Sequence, residues 1–361
     1  MIAALMAALV ITGCGVPDPV EVTPSATHDF SGRVDTTDNA LLLDDRTWWP
    51  AGFNAYQLGT DWSINKGCGA EVDLDRYFGA LPARSLTRFN LYSSFVVSKD
   101  GGLDFAPLDA VFAAANRHDQ LVLPVLSGSS GDCEDGVFKD RDYYTDGWRS
   151  RIGVGGLTFA RWMSIAVSRW RGERSVVGWE LVGEPEASVC GSSGCEFSDR
   201  SCPPGGAQVL RTFFDTAGAE LRRIDSARPI FAGFTGGDQC GLAGTDYLTV
   251  GASDGLDVLD FHDYRDSEGV PPAHSSLATR LNQARQLGKP LMLNEVGVKA
   301  GSCLSTGQRA VRLHSRVTDE RIAGAAGALF WGFVPDPRTT QCTYDIGYGD
   351  PAWQVVSELI N

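Results

Sequence analysis

Trp179-Glu180-Leu181-Val182-Gly183-Glu184-Pro185 and Leu291-Met292-Leu293-Asn294-Glu295-Val296-Gly297 are the stretches whose reading decides the fold. Each is an apolar, β-prone run that breaks at a glutamate, the pattern of a buried parallel strand emerging at its carboxyl end. Working outward, comparable runs occupy residues 49–54, 86–92, 121–126, 176–182, 229–233, 256–262, 291–295 and 328–333. Apolar residues spaced three and four apart predict helices between most of them, over 108–117, 157–170, 209–224, 277–287 and 308–322, with a last helix at 352–360. The fifth connection, around 247–250, carries a weak pattern. Eight such alternations predict an α/β fold, a (β/α)8 TIM barrel, over a doubly wound sheet, where the strand count is usually lower. Three βα units separate Glu184 from Glu295, which places the two at the ends of strands four and seven on one rim. Residues 32–34 and 41–48 predict a small β-hairpin ahead of the barrel.

The length of 361 residues suits a barrel with insertions, and 43% hydrophobic content is ample for its core. The 45 acidic against 31 basic residues give a net charge of −14. Nucleic acid and anionic membrane surfaces are thereby disfavoured as partners, because both require a basic footprint. A neutral polymer such as a polysaccharide remains compatible.

Residues 2–11 form an apolar run of signal-peptide length, too short to span a bilayer. The run ends in Ile11-Thr12-Gly13-Cys14, which resembles the cleavage box of bacterial lipoproteins, although no Lys or Arg precedes it. This predicts a signal over 1–14, a tether over 15–29 containing Pro17, Pro19 and Pro24, and one catalytic domain over 30–361. A free Cys14 is the alternative. The expected protein is exported, touches the membrane only through a lipid on Cys14, and is a monomer. Eight further cysteines, all in predicted loops, fit four disulfides in an oxidising compartment. Cys303 and Cys342 would tie together two late loops; the rest of the connectivity stays open. Cys190 and Cys195 lack the Cys-x-x-Cys spacing of a zinc site, and no histidine lies nearby.

Two glutamates on different strands of one rim are what glycoside hydrolysis requires. One holds a proton for the leaving oxygen while the other stays ionised to attack the sugar. Further motifs follow the same strand order: Gly52-Phe53-Asn54-Ala55-Tyr56 on strand one, Arg88 in Leu86-Thr87-Arg88-Phe89-Asn90 on strand two, His262 and Tyr264 in Asp260-Phe261-His262-Asp263-Tyr264 on strand six, and Phe330-Trp331-Gly332 on strand eight. Over residues 32–361 the chain resembles retaining glycoside hydrolases of the family 5 type, relatives of cellulases and β-mannanases.

The resemblance implies Glu295 as nucleophile, kept ionised by Arg88 and the Tyr264 hydroxyl, and Glu184 as acid/base with its pKa raised by burial and by the charge of Glu295. It implies His262 as a partner of substrate or of Glu184, Trp331 as a stacking face for a pyranose ring, and Asn54 and Tyr56 as subsite contacts. It implies no metal and no cofactor. A β-mannan or β-glucan backbone is the expected substrate. One departure stands out: the family places asparagine before the acid/base glutamate, where it bonds the sugar 2-hydroxyl, and this chain has Gly183. Long polar loops over 127–151 and 187–206 are expected to shape a cleft, with Asp142, Tyr143, Tyr144 and Trp148 as candidate lining residues. Two other readings stay open: a surface-anchored glycan-binding protein on the same scaffold, and a transglycosylase acting on envelope glycan.

Overall fold

Eight short runs with nearly every side chain buried form one parallel sheet: β1 (Ala51–Asn54), β2 (Leu86–Asn90), β3 (Leu121–Val125), β4 (Trp179–Glu180), β5 (Ile230–Phe231), β6 (Leu259–Asp263), β7 (Leu291–Gly297) and β8 (Ala328–Trp331). The computed structural model describes residues 31–60, 68, 70–192 and 194–360. Hydrogen-bonded neighbours run β5-β4-β3-β2-β1-β8-β7-β6, and a parallel bridge from Phe231 to Val258 brings β5 and β6 together. The ring is the (β/α)8 barrel that the alternation predicts.

The crossovers are α1 (Leu74–Ala80), α2 (Ala106–Arg117), α3 (Phe159–Trp170), α4 (Gly206–Ile224), α5 (Asp246–Gly251), α6 (Leu277–Leu287), α7 (Thr306–Ala323) and α8 (Ala352–Ile360). Their limits follow from local chemistry. The Thr158, Ser276 and Ser305 side chains accept backbone N–H groups at the starts of α3, α6 and α7, and Gly288 and Gly324 close α6 and α7 in left-handed conformation. Helix α1 is absent from the sequence reading because its seven residues bury only Tyr77 and Phe78, too few to set a period. The six residues of α5 explain the weak pattern of the fifth connection in the same way. Ahead of the barrel, the expected hairpin is a three-stranded antiparallel meander, Val34–Thr36, Leu41–Leu43 and Arg46–Trp48. Asp44 and Asp45, both at positive φ, make its tight second turn.

Strand β7 departs from even register. Leu293 pairs with Ala328 and Val296 with Phe330 on one side, while Met292 pairs with Asp260 and Glu295 with His262 on the other. Three steps on β7 therefore match two on each neighbour. This β-bulge at the rim turns Glu295 out of simple alternation, the usual consequence of an inserted residue.

Four disulfides lie on the loops that follow the strands: Cys68–Cys133, Cys190–Cys195, Cys202–Cys240 and Cys303–Cys342. The last is the pair expected between two late loops. The Cys14 box and the tether lie outside the described residues. Tyr143, Tyr144 and Trp148 do not line a cleft. All three are buried and pack edge-on with Phe159 and Phe213, anchoring the loop after β3 onto α3 and α4, while Asp142 points to solvent.

Candidate active site

The carboxyl end of the barrel is organised around Arg88, a buried cation on β2. Its Nε and Nη2 donate to the two oxygens of Glu180 on β4 at 2.8 and 2.7 Å, and its Nη1 donates to Asn54 Oδ1 at 2.8 Å and Glu295 Oε1 at 2.7 Å. The bidentate fork is the strong geometry of an arginine–carboxylate pair. Asn54 Nδ2 donates in turn to the carbonyl of Asn294, the residue of the bulge, at 2.8 Å. Asn54, expected as a subsite contact, is instead seen bracing the site from beneath. It is buried, and both ends of its amide are committed to holding Arg88 and β7.

Glu295 receives a second hydrogen bond, from the Tyr264 hydroxyl to Oε2 at 2.5 Å. Tyr264 reaches it because its ring lies flat against Gly297, where a Cβ would meet ring carbon at 2.3 Å. Tyr344 supports the same ring edge-on at 5.2 Å.

Glu184 stands at φ 57°, immediately before Pro185, where proline normally enforces extended backbone. Strain of this kind persists where the surroundings over-determine a conformation. Here the Glu184 N–H donates to Gly233 O at 2.8 Å. The Glu184 side chain is about half exposed, at 49%, and its Oε1 lies 2.8 Å from His262 Nδ1, which is itself 3.4 Å from Glu295 Oε2. Donor atoms of Glu184, His262 and Glu295 all fall within 4.8 Å of one another. The same trio is a group of described residues whose donors converge as metal ligands would. Against ligation, both oxygens of Glu295 already accept from Arg88 and Tyr264.

The pKa directions run opposite to those expected. Desolvation pushes Glu184 up, but the His262 hydrogen bond and charge, with Arg88, prevail and hold it below the ordinary carboxylate value. Burial pushes Glu295 up; His262 and Arg88 oppose this, Glu184 adds to it, and the net direction is upward. Burial works against a charged His262, yet the charge of Glu295 and the contact with Glu184 raise it above its usual value. Burial lifts both carboxylates, and it is outweighed only at Glu184, which His262 touches at 2.8 Å.

A cleft of about 450 Å³ opens over these groups, lined among others by Arg88, Glu184, Tyr264, Glu295, Tyr56 and Trp331. Tyr56 and Trp331 stack with rings nearly parallel, 5.4 Å apart and inclined by 11°, at one end of it. Gly183 forms part of the wall, and a Cβ there would lie 3.2 Å from Arg88 Nη2.

Two buried acids escaped the sequence reading. Glu180 is fully buried, and Asp260 on β6 accepts from Gly233 N at 2.5 Å with its pKa well above the carboxylate range, through burial and then the charge of Glu180. Their signal was a carboxylate inside an apolar strand, which must find a partner to be buried at all.

No family model matches the chain. It is 21% identical over 332 residues to a probable mannan endo-1,4-β-mannosidase A of Aspergillus clavatus, covering 86% of this chain and 83% of that protein. Among solved structures it is similar to the glycoside hydrolase family 5 mannosidase of Rhizomucor miehei, with a TM-score of 0.64 and 12% identity, over 91% of this chain and 97% of that one. An endo-1,4-β-mannanase of Rhizomucor miehei aligns with a TM-score of 0.63 and 18% identity, over 91% and 98%. These likenesses agree with the barrel seen here, and the chain is similar to (β/α)8 mannanases of the glycoside hydrolase family 5 type.

Proposed function

We propose that the protein is a retaining glycoside hydrolase that cleaves β-glycosidic bonds within a β-mannan type polysaccharide. The observation that carries this reading is the approach of Glu184 and Glu295 to within 4.8 Å of one another around His262. That closeness fits the ~5–5.5 Å separation of carboxyl groups in retaining enzymes better than the wider separation that admits a water for inversion. The relatives named as endo-mannosidases support the choice of substrate.

In this reading Glu295 Oε attacks the anomeric carbon, with Arg88 and Tyr264 fixing both of its oxygens. Glu184 and His262, in contact at 2.8 Å, share one proton beyond that of a neutral imidazole and act as a coupled acid. As the glycosidic bond breaks, that proton passes through Glu184 to the leaving oxygen. Formation of the ester cancels the charge of Glu295, the largest influence raising His262. His262 then stays neutral, so Glu184 remains an ionised base for the incoming water. Trp331 and Tyr56 offer flat faces to sugar rings on the Glu295 side.

Four disulfides fit an oxidising, extracellular compartment. Attachment through a lipid on Cys14 completes the proposal, and Cys14→Ser is expected to move the protein from the membrane fraction to the soluble one.

The decisive experiment is product release from mannan, glucomannan, carboxymethyl cellulose and xylan by the wild type beside Glu295→Ala. Release from mannan that disappears in the variant supports the reading. A folded wild type that releases nothing from the panel refutes it, and binding of mannan without release would favour a glycan-binding protein.

A further inference from the structure

On the Glu184 side the cleft continues into a second hollow of about 330 Å³, which contains Glu184 and His262 but not Glu295. If bond cleavage leaves one sugar on Glu295 and sends the other away with the proton from Glu184, this hollow faces the departing half.

Phe197 lines it and is 83% exposed, an unusual state for a phenylalanine. Its backbone is nonetheless held fast. Phe197 sits in a single turn, Phe197–Asp199, on the loop after β4. Cys190–Cys195 closes the loop tip and Cys202–Cys240 ties its base to the loop after β5. Val189 and Ser201 pair across the loop, and Arg200 Nε donates to Cys195 O at 2.7 Å while its guanidinium lies 4.0 Å over Phe138. The loop thus presents an aromatic face rigidly at the edge of a site-bordering hollow. Pro271, beside the 82% exposed Val270 on the loop after β6, lines the same hollow.

The charges narrow the occupant. Glu184, Glu186 and Glu268 line the hollow, and its two guanidinium groups are both committed: Arg200 faces Glu186 at 3.6 Å, and Arg265 pairs with Asp263 at 2.6 Å and with Glu320. A carboxylate entering here would meet three acids, while Arg200, Arg265 and His262 among the described residues already face carboxylates, whereas an uncharged ring meets an aromatic face and the hydroxyls of Ser129, Ser130 and Thr235.

We propose that this hollow is the subsite of the leaving-group sugar, that Phe197 is its stacking platform, and that it takes a neutral pyranose in preference to a uronic acid. The proposal rests on the glycosidase reading above and goes beyond it in naming the residue and the charge class.

The test compares wild type, Phe197→Ala and Phe197→Trp on β-1,4-mannopentaose and on β-mannobiosyl fluoride, whose leaving group is too small to reach Phe197. Phe197→Ala is expected to lower kcat/KM on the pentaose about tenfold and to leave the fluoride within about twofold, with Phe197→Trp close to wild type. Equal effects on both substrates, or none on either, overturn the proposal. A matched oligosaccharide with a carboxylate on the leaving sugar is expected to be cut at least about tenfold more slowly than the neutral one; equal rates overturn the charge assignment. Fluoride hydrolysis that vanishes in Glu295→Ala shows the glycosidase reading to be sound whatever Phe197 does, and its absence in the wild type overturns both.

Discussion

Replacing Glu180 by glutamine tests the arrangement beneath the cleft. The Arg88 and Glu180 side chains are 6% and 0% exposed, and two parallel hydrogen bonds join them. Glutamine keeps the shape but sets an amide against the bidentate side of a buried guanidinium whose remaining ion pair is with Glu295, and breaking a buried pair from one side costs about 3–5 kcal/mol. Unfolding some 330 residues, at about 2.1 cal/mol/K each, carries an entropy near 0.7 kcal/mol/K, so Tm is expected to fall by about 4–7 °C. The assay is thermal unfolding followed by circular dichroism at pH 7, run as a cycle with Arg88→Met and the double variant. Because each single change leaves the other buried group without its bidentate partner, the double variant is expected to be less destabilised than the sum, by roughly 1–3 kcal/mol. A Tm shift of Glu180→Gln below about 1 °C, or an additive cycle, refutes the reasoning.

Four further outcomes follow from the geometry. His262 is raised above 6.5, so the stability it contributes is complete below that value and lost as pH rises through its folded value; Glu184, being lowered, contributes above the usual carboxylate value and loses its share as pH falls through the lowered one. The Tm deficit of His262→Gln is therefore expected to be larger at pH 6 than at pH 9, and a pH-independent deficit would contradict the charge assignment. The same variant should lose more activity on mannan than on an aryl glycoside with an acidic leaving group, which needs little protonation. Gly183→Asn is expected to be more active than Gly183→Ala, because both press on Arg88 but the amide also offers a hydrogen bond to the sugar; parity between them removes the missing-donor account of this glycine. Cys202→Ser/Cys240→Ser, which opens a closure with a sequence separation of 38 residues, should lower stability by about 4 kcal/mol in calorimetry, and a loss under about 1 kcal/mol would show the loop to be fixed by other contacts.

Much of the barrel was legible because its strands are buried on both faces and read as unbroken apolar runs, while α2, α3, α4 and α7 are long enough to display their period. Helix α1 and the third strand of the N-terminal meander were not, since seven and three residues sample too little of any period. Glu184, Glu295, Arg88 and Tyr264 could be named because each is a polar residue in or just after an apolar strand run, and the structure brings them together. Asn54 was misplaced because sequence shows that a residue is at a rim but not that its amide is already spent on Arg88 and Asn294. The bulge in β7 leaves no local mark in Leu-Met-Leu-Asn-Glu. The pKa order of the two glutamates depends on which of them lies nearer His262, a relation between β6, β7 and the loop after β4 that exists only once the chain has closed.

The fork between Arg88 and Glu180 also decides what kind of field the cleft holds. Had Arg88 met Glu295 alone, one cation and one anion would have cancelled at the floor of the site. With Glu180 present the positive charge is answered from below before it reaches Glu295, which gains donors that aim it without being electrically silenced. Three carboxylates, Glu180, Glu184 and Glu295, surround Arg88 and His262 there. In the proposed reaction a resting sugar, being neutral, gains little from such a floor. A ring taking on positive character as its glycosidic bond stretches would gain more, and a preorganised preference of that kind for the passing state over the bound one is what lowers a barrier.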